Sequence, residues 1–230
     1  MESLIRLRPA FDLRSLQPLP EFSGIICPAD LLLIWCDKAL HPICAAQKAF
    51  GYPAQSYKIC HVALCINEYI VIHAMPADDD NVSDGVRLET LDDVVVGKRI
   101  SIVRYPELAA RPDLAAKIVD CATKLDGAGY DRKKVVSIAR LAINRLFSAG
   151  KGGRPMVRPG RDLGWNSTTD DLTNAETYIC SDFIFEVYSK VLRERSPLNN
   201  PNTRLAPVSL PSQYFVNPAL VDVPLTPAKC

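Results

Sequence analysis

Two apolar runs, Lys58-Ile59-Cys60-His61-Val62-Ala63-Leu64-Cys65-Ile66 and Tyr69-Ile70-Val71-Ile72-His73-Ala74, are separated only by Asn67 and Glu68. Their length and branched side chains predict strands, and so short a link makes them an antiparallel hairpin. Each run carries a histidine, which is costly inside an apolar strand unless it is paired. The link decides whether the two can meet. A clean two-residue turn sets His73 opposite Val62, on the other side of the sheet from His61. A three-residue loop or a bulge sets it opposite Ala63, and His61, Ala63 and His73 then share one face. Pairing the histidines therefore requires an odd loop or a bulge near residues 67–69.

Around this hairpin the chain alternates in kind. Asp30-Leu31-Leu32-Leu33-Ile34-Trp35 fits a buried strand, residues 40–51 a short helix stopping near Gly51 and Pro53, and Arg99 to Arg104 another strand. Leu88 to Val95 suggests a short helix. Pro112 to Leu125 has apolar positions at Leu114, Ile118, Val119 and Ala122, and Gly127-Ala128-Gly129 stops it. Asp131 is placed to N-cap a further helix reaching about Phe147. Residues 148–170 are glycine-rich and basic, with Lys151, Arg154, Arg158 and Arg161, and have no apolar period, so they form a long loop. A last helix follows Cys180 and ends near Ser196-Pro197. The seven prolines of residues 197–230 suit an extended arm better than another helix. The expected fold class is α+β, an antiparallel sheet packed on helices. Residues 1–27 form an irregular lead-in, 28–196 the domain, and 197–230 an arm packed on it.

Composition narrows the function. The 230 residues carry a net charge of +1 and are 48% apolar, which supports one core and argues against wholesale nucleic-acid binding. The most apolar run, Ile25 to Cys36, is too short to span a bilayer and is broken by Pro28 and Asp30. Met1-Glu2-Ser3-Leu4-Ile5-Arg6 does not open like a secretory signal, so the expected place is the cytosol, or export by a signal-independent route. The eight cysteines (27, 36, 44, 60, 65, 121, 180 and 230) form no CxxC pair and no zinc-like knuckle. They are expected to be mostly unpaired core thiols, with no metal and no cofactor.

The chemistry gathers at Tyr178-Ile179-Cys180-Ser181-Asp182-Phe183-Ile184, just ahead of the apolar positions Val187, Tyr188, Val191 and Leu192. A cysteine where a helix begins sits beside unpaired N–H groups and the positive end of the helix dipole, which favour thiolate and offer donors to an oxyanion. A possible capping box, Thr173 to Glu176, competes by starting the helix earlier. A nucleophilic cysteine needs a base, and the chain has only three histidines. His41, before Pro42, has no evident role, which leaves His61 and His73. The two could share a metal, but no third ligand stands at a familiar spacing; one acting as base and the other orienting it is the alternative. Tyr130-Asp131 reads as a packed aromatic followed by an N-cap, and Asp78, Asp79, Asp80 and Asp84 as a solvated loop.

Taken together, Pro28-Ala29-Asp30-Leu31-Leu32, Cys60-His61-Val62-Ala63-Leu64, Val71-Ile72-His73-Ala74 with Gly85-Val86, Gly129-Tyr130-Asp131, Tyr178-Ile179-Cys180-Ser181-Asp182, and Ala206-Pro207 with Leu210-Pro211 resemble the circularly permuted NlpC-like cysteine hydrolases of the papain-like superfamily, in particular the YiiX-like branch. The resemblance spans roughly residues 28–215. It implies a permuted papain-like domain in which Cys180 is the nucleophile, His61 the general base and His73 the third polar residue, where that branch usually has glutamate. Backbone N–H groups of Cys180 and Ser181 would hold the oxyanion, with Tyr130 nearby. The implied substrate is an amide or peptide of the bacterial cell wall. A wall substrate without a secretory signal suits an antibacterial effector of the type VI kind, whose partner would be an immunity protein. Thioester, lipid-acyl or deamidase chemistry is the alternative within the superfamily, and a non-catalytic binding module the alternative outside catalysis.

Overall fold

The computed structural model describes residues 22, 24–36, 41–77, 84–149, 177–199 and 209–224. The strands are β1 (Leu31–Trp35), β2 (Ile59–Cys65), β3 (Ile70–Met75), β4 (Gly85–Thr90), β5 (Ile100–Arg104), β6 (Gly129–Tyr130), β7 (Thr177–Tyr178) and β8 (Val221–Val223). Between and after them run the helices α1 (Pro42–Ala49), α2 (Leu91–Val95), α3 (Pro106–Ala110), α4 (Pro112–Thr123), α5 (Arg132–Ala149), α6 (Cys180–Leu192) and α7 (Pro211–Phe215). Six strands make one antiparallel sheet in the order β4-β3-β2-β1-β5-β8, and β6 and β7 form a small parallel pair. The class is α+β, an antiparallel sheet packed against helices.

The central strand β1 explains its own composition. Leu31, Leu33 and Trp35 face a core built with Ile118 and Ala122 of α4 and Phe183, Ile184, Val187 and Tyr188 of α6. Leu32 and Ile34 face the other way, toward Leu91, Val94 and Val95 of α2 and toward Phe22. Both faces are covered, so the run is apolar throughout instead of alternating. Just before it, the buried Asp30 takes two hydrogen bonds of 2.7 Å from Arg104 and one from the Cys27 N–H. The hydroxyl of the buried Tyr188 donates to the Ala29 carbonyl at 2.6 Å and ties α6 to the start of β1.

The hairpin takes the odd loop. Leu64 pairs with Ile72 and Cys65 with Val71, while the Ile66 N–H donates to the Ile70 carbonyl, leaving residues 67–69 as the loop. The Asn67 side chain closes it by accepting from the Tyr69 and Ile70 N–H groups at 2.8 and 2.9 Å.

Two sequence expectations need correction. Leu88 to Thr90 is strand, and only Leu91–Val95 is helical. The two-residue alternation of Val86, Arg87, Leu88 and Glu89 carries β4, and the Thr90 hydroxyl accepts from the Asp93 N–H to start α2. The residues after 197 are not simply an extended arm: Pro211–Phe215 is a helix with proline in its first turn, and Val221–Val223 adds a strand beside β5. The Ser196-Pro197 stop holds, and the helix after Asp131 begins as expected, with the Asp131 carboxylate accepting from the Lys134 N–H. The basic loop from residue 150 on, Asp78 to Asp80, the box at Thr173–Glu176, Ala206-Pro207, Cys230 and most of the lead-in lie outside the described residues.

Gly85 fixes how the β6 segment meets the sheet. Its φ is +132°, and a Cβ there would lie 2.0 Å from the Ala128 carbonyl oxygen, while the Val86 N–H donates to that same oxygen. Neither backbone can yield without losing the bond. Gly85→Ala is therefore expected to cost at least about 2 kcal/mol, measured as a lowered urea midpoint; an unchanged midpoint would contradict this geometry.

Candidate active site

The loop register brings the two histidines together. His61 Nε2 and His73 Nδ1 are 2.8 Å apart, and both side chains are buried. The β3–β4 pairing then places Arg87 opposite His73 and Glu89 opposite Val71. His73 Nε2 lies 3.1 Å from the Glu89 carboxylate, a close contact bent away from a linear hydrogen bond, and Arg87 holds the other oxygen of Glu89. The result is a buried line from β2 through β3 to β4.

This order assigns the protons. Glu89 is acceptor-only when ionised, so His73 carries its proton on Nε2 and offers Nδ1 as acceptor. His61 must then carry its proton on Nε2, which leaves its Nδ1 as the basic nitrogen. Burial lowers the His61 pKa well below the ordinary range, and the neighbouring His73 pushes the same way. His73 is also lowered, by burial first, with Glu89 pulling against it. Burial alone would raise Glu89, but the contacts from His73 and Arg87 outweigh it and hold its pKa at about 2. The resting line is carboxylate, neutral imidazole, neutral imidazole.

Cys180 opens α6, with Ile179 as its N-cap in extended backbone, so the helix starts where the thiol needs it. Cys180 belongs to the same buried cluster as Val62, Leu64, Ile72 and Ala74, and the N–H groups of Val62 and Ser181 are directed at its sulfur. It thus reaches β2 at the residue beside His61. Thiol and imidazole are not hydrogen-bonded to each other: the His61 ring bonds His73, and the sulfur takes the two N–H groups. The expected thiolate does not follow from the helix start. Burial raises the Cys180 pKa to about 11, overriding the N–H groups that lower it. Desolvation of a thiolate outweighs a half-charge dipole.

The Ser181 hydroxyl is engaged elsewhere, donating to the Ser209 carbonyl at 2.8 Å, and its own carbonyl accepts from the Tyr214 hydroxyl at 2.6 Å. The Ser181 N–H and, more weakly, its side chain also act on the Cys180 thiol, both favouring the thiolate. The first intrahelical bond runs from the Phe183 N–H to the Ile179 carbonyl, so the N–H groups of Cys180 and Ser181 precede any partner in their own helix. Tyr130, on β6, has its pKa raised by burial and next by Cys180, which puts the phenol within electrostatic reach of the sulfur. Lys134 of α5 pairs with Asp182 at 2.5 Å and locks the two helices beside the thiol.

Sequence reading missed Glu89. The signal was the alternation of Arg87 and Glu89 with apolar neighbours, hidden once Leu88 was read as helical. Two cavities, of about 580 Å³ beside Trp35 and Arg99 and about 430 Å³ beside Arg104 and Pro112, are lined by neither Cys180 nor the histidines. No family model matches the chain, and no curated protein matches it.

A thiol with a pKa near 11 is ionised in only about one molecule in a thousand at pH 8. Alkylation of Cys180 by iodoacetamide should therefore be slow at pH 7 and rise about tenfold per pH unit through pH 9. A plateau reached by pH 7 would mean a preformed thiolate and contradict this reading.

Proposed function

We propose that the chain is a cysteine hydrolase of amide bonds, built as a permuted NlpC-like domain of the papain-like kind. The observation that carries the reading is the His61–His73–Glu89 line. It supports a neutral base whose free nitrogen is Nδ1, on the residue next to the N–H that the Cys180 sulfur takes. Neutral thiol beside neutral imidazole favours proton transfer during attack over a standing ion pair.

In this reading His61 Nδ1 takes the Cys180 proton as the sulfur bonds to the substrate carbonyl carbon. The oxyanion accepts from the Cys180 and Ser181 N–H groups, with the Tyr130 phenol as a further donor. Collapse breaks the C–N bond, and the amine leaves with the proton from His61. Water, deprotonated by His61, then cleaves the thioester and restores the thiol. The imidazolium formed on the way is stabilised through His73 by the Glu89 charge, which makes Glu89 a positioning residue two steps from the sulfur. A histidine at the third position thus keeps a carboxylate behind it.

Bacterial cell-wall peptide is the substrate class we propose, with delivery as an antibacterial effector and an immunity protein as partner; thioester, lipid-acyl or deamidase chemistry is the other catalytic reading. A non-catalytic module is favoured by one observation, the raised Cys180 pKa together with the missing thiol–imidazole bond.

Digestion of purified peptidoglycan, with products read by mass spectrometry, tests the proposal. Wild type should release cleaved peptides, and Cys180→Ala none. His61→Ala should lose about 10²–10⁴ in rate, and Glu89→Gln about tenfold to a hundredfold. Equal products from wild type and Cys180→Ala would end the cysteine-hydrolase reading. Products absent from both, with hydrolysis of model thioesters by wild type alone, would move the substrate and keep the mechanism.

A further inference from the structure

A second group of thiols lies close to the His61–His73 line but shares no residue with it. Cys36 follows the end of β1, His41 stands immediately before α1, Cys44 lies in the first turn of α1, and Cys60 sits in β2. The β1–β2 pairing passes from Ile34↔His61 to Trp35↔Ile59, so Cys60 is the extra residue of a bulge. The sulfurs of Cys36 and Cys60 and a ring nitrogen of His41 all lie within 4.8 Å of one another. The Cys44 thiol neighbours Cys36, and the Cys60 thiol donates to the Ile34 carbonyl at 3.5 Å. Among the described residues no cysteine is in a disulfide.

Three thiols and one imidazole from three separate places in the chain (the end of β1, the start of α1 and the β2 bulge) form the donor set of a structural zinc site. Around a tetrahedral ion with Zn–S near 2.3 Å, neighbouring donors stand about 3.7 Å apart, so Cys36, His41 and Cys60 close on an ion with shifts of about an ångström, while Cys44 would have to move further to complete the set. Cys36, His41 and Cys60 are half-buried, which leaves an approach from solvent, while Cys44 is buried beneath them. Burial pushes the Cys44 thiol up to about 12, and the neighbouring Cys36 adds to it. Cys60 is raised further, by burial and then by Cys36 and Cys44. Cysteine binds zinc as thiolate, so an ion held here would displace the thiol protons. The spacing Cys36-x4-His41-x2-Cys44-x15-Cys60 is no familiar knuckle, and the fold, not the sequence, brings the four together.

We propose that Cys36, His41, Cys44 and Cys60 bind one zinc-like divalent ion, with three thiol protons released on binding. The ion would clamp the start of α1 to the ends of β1 and β2. It is independent of the hydrolase reading, since none of the four ligands belongs to that line.

The test uses the full chain, reduced and stripped with chelator under anaerobic conditions, then titrated with Co²⁺ and afterwards Zn²⁺. The expected result is one equivalent of Co²⁺ giving thiolate-to-metal charge transfer and the intense d–d bands of a tetrahedral site, displaced by one equivalent of Zn²⁺. Cys36→Ser and Cys60→Ser should lose stoichiometric binding, and Cys121→Ser should keep it. His41→Cys separates site loss from misfolding: a folded site takes Co²⁺ with stronger charge transfer, as a fourth thiolate requires. No uptake by the reduced wild type would overturn the proposal. So would equal uptake by Cys36→Ser and Cys60→Ser, or air oxidation to a Cys36–Cys60 disulfide in a chain that binds no ion when reduced.

Discussion

The candidate site depends on the register of one hairpin. Asn67 folds its side chain back onto two N–H groups and makes the loop three residues long, which sets His73 on the same side of the sheet as His61. One residue fewer would turn His73 to the opposite face and leave two buried histidines, each without the other. The cost of burying an unpaired imidazole and the geometry of a short loop therefore select the same register. The β3–β4 ladder then adds Glu89, because Val71 and His73 lie two apart and their partners Glu89 and Arg87 do too.

Much of this was legible in the sequence because it rests on short-range rules. The hairpin, the helix stopped at Gly127-Ala128-Gly129, the Asp131 cap and the start of α6 at Cys180 each follow from residues within one turn or one loop. What escaped depends on partners distant in the chain. β4 has a charged face that makes sense only against His73, so its alternation was overlooked in favour of the helix that begins at Leu91. The strand at Val221–Val223 is carried by the open edge of β5 and not by its own composition. The ionisation of Cys180 was misjudged for a related reason. The helix start is local and visible, whereas burial is set by the packing of α6 against the sheet.

Burial and polarity are balanced differently along the site. Glu89, half-buried and held by Arg87 and His73, stays charged; His61 and His73, buried, stay neutral; Cys180, as buried as they are but in apolar company, keeps its proton. This arrangement makes the carboxylate the standing charge and leaves the two imidazoles and the thiol neutral. What favours the thiolate against burial is a pair of donors directed at the sulfur, the Val62 and Ser181 N–H groups, and the fold fixes both in place.

The C-terminal segment is what fixes them. Ser209 and Tyr214 hold the first turn of α6 through the Ser181 hydroxyl and carbonyl, while Ser212 bonds the side chain of Gln47 and the carbonyl of Ser56. Gln47 in turn donates to the Tyr57 and Ile59 carbonyls at the entrance to β2. One buried network thus joins α1, the start of β2 and the N-terminus of α6, the same elements that carry the thiol cluster on one side and Cys180 on the other. The network uses the hydroxyl and carbonyl of Ser181 and leaves its N–H directed at the Cys180 sulfur. The segment after residue 209 therefore contributes to the site by holding in place the turn of α6 that carries Cys180 and the Ser181 N–H.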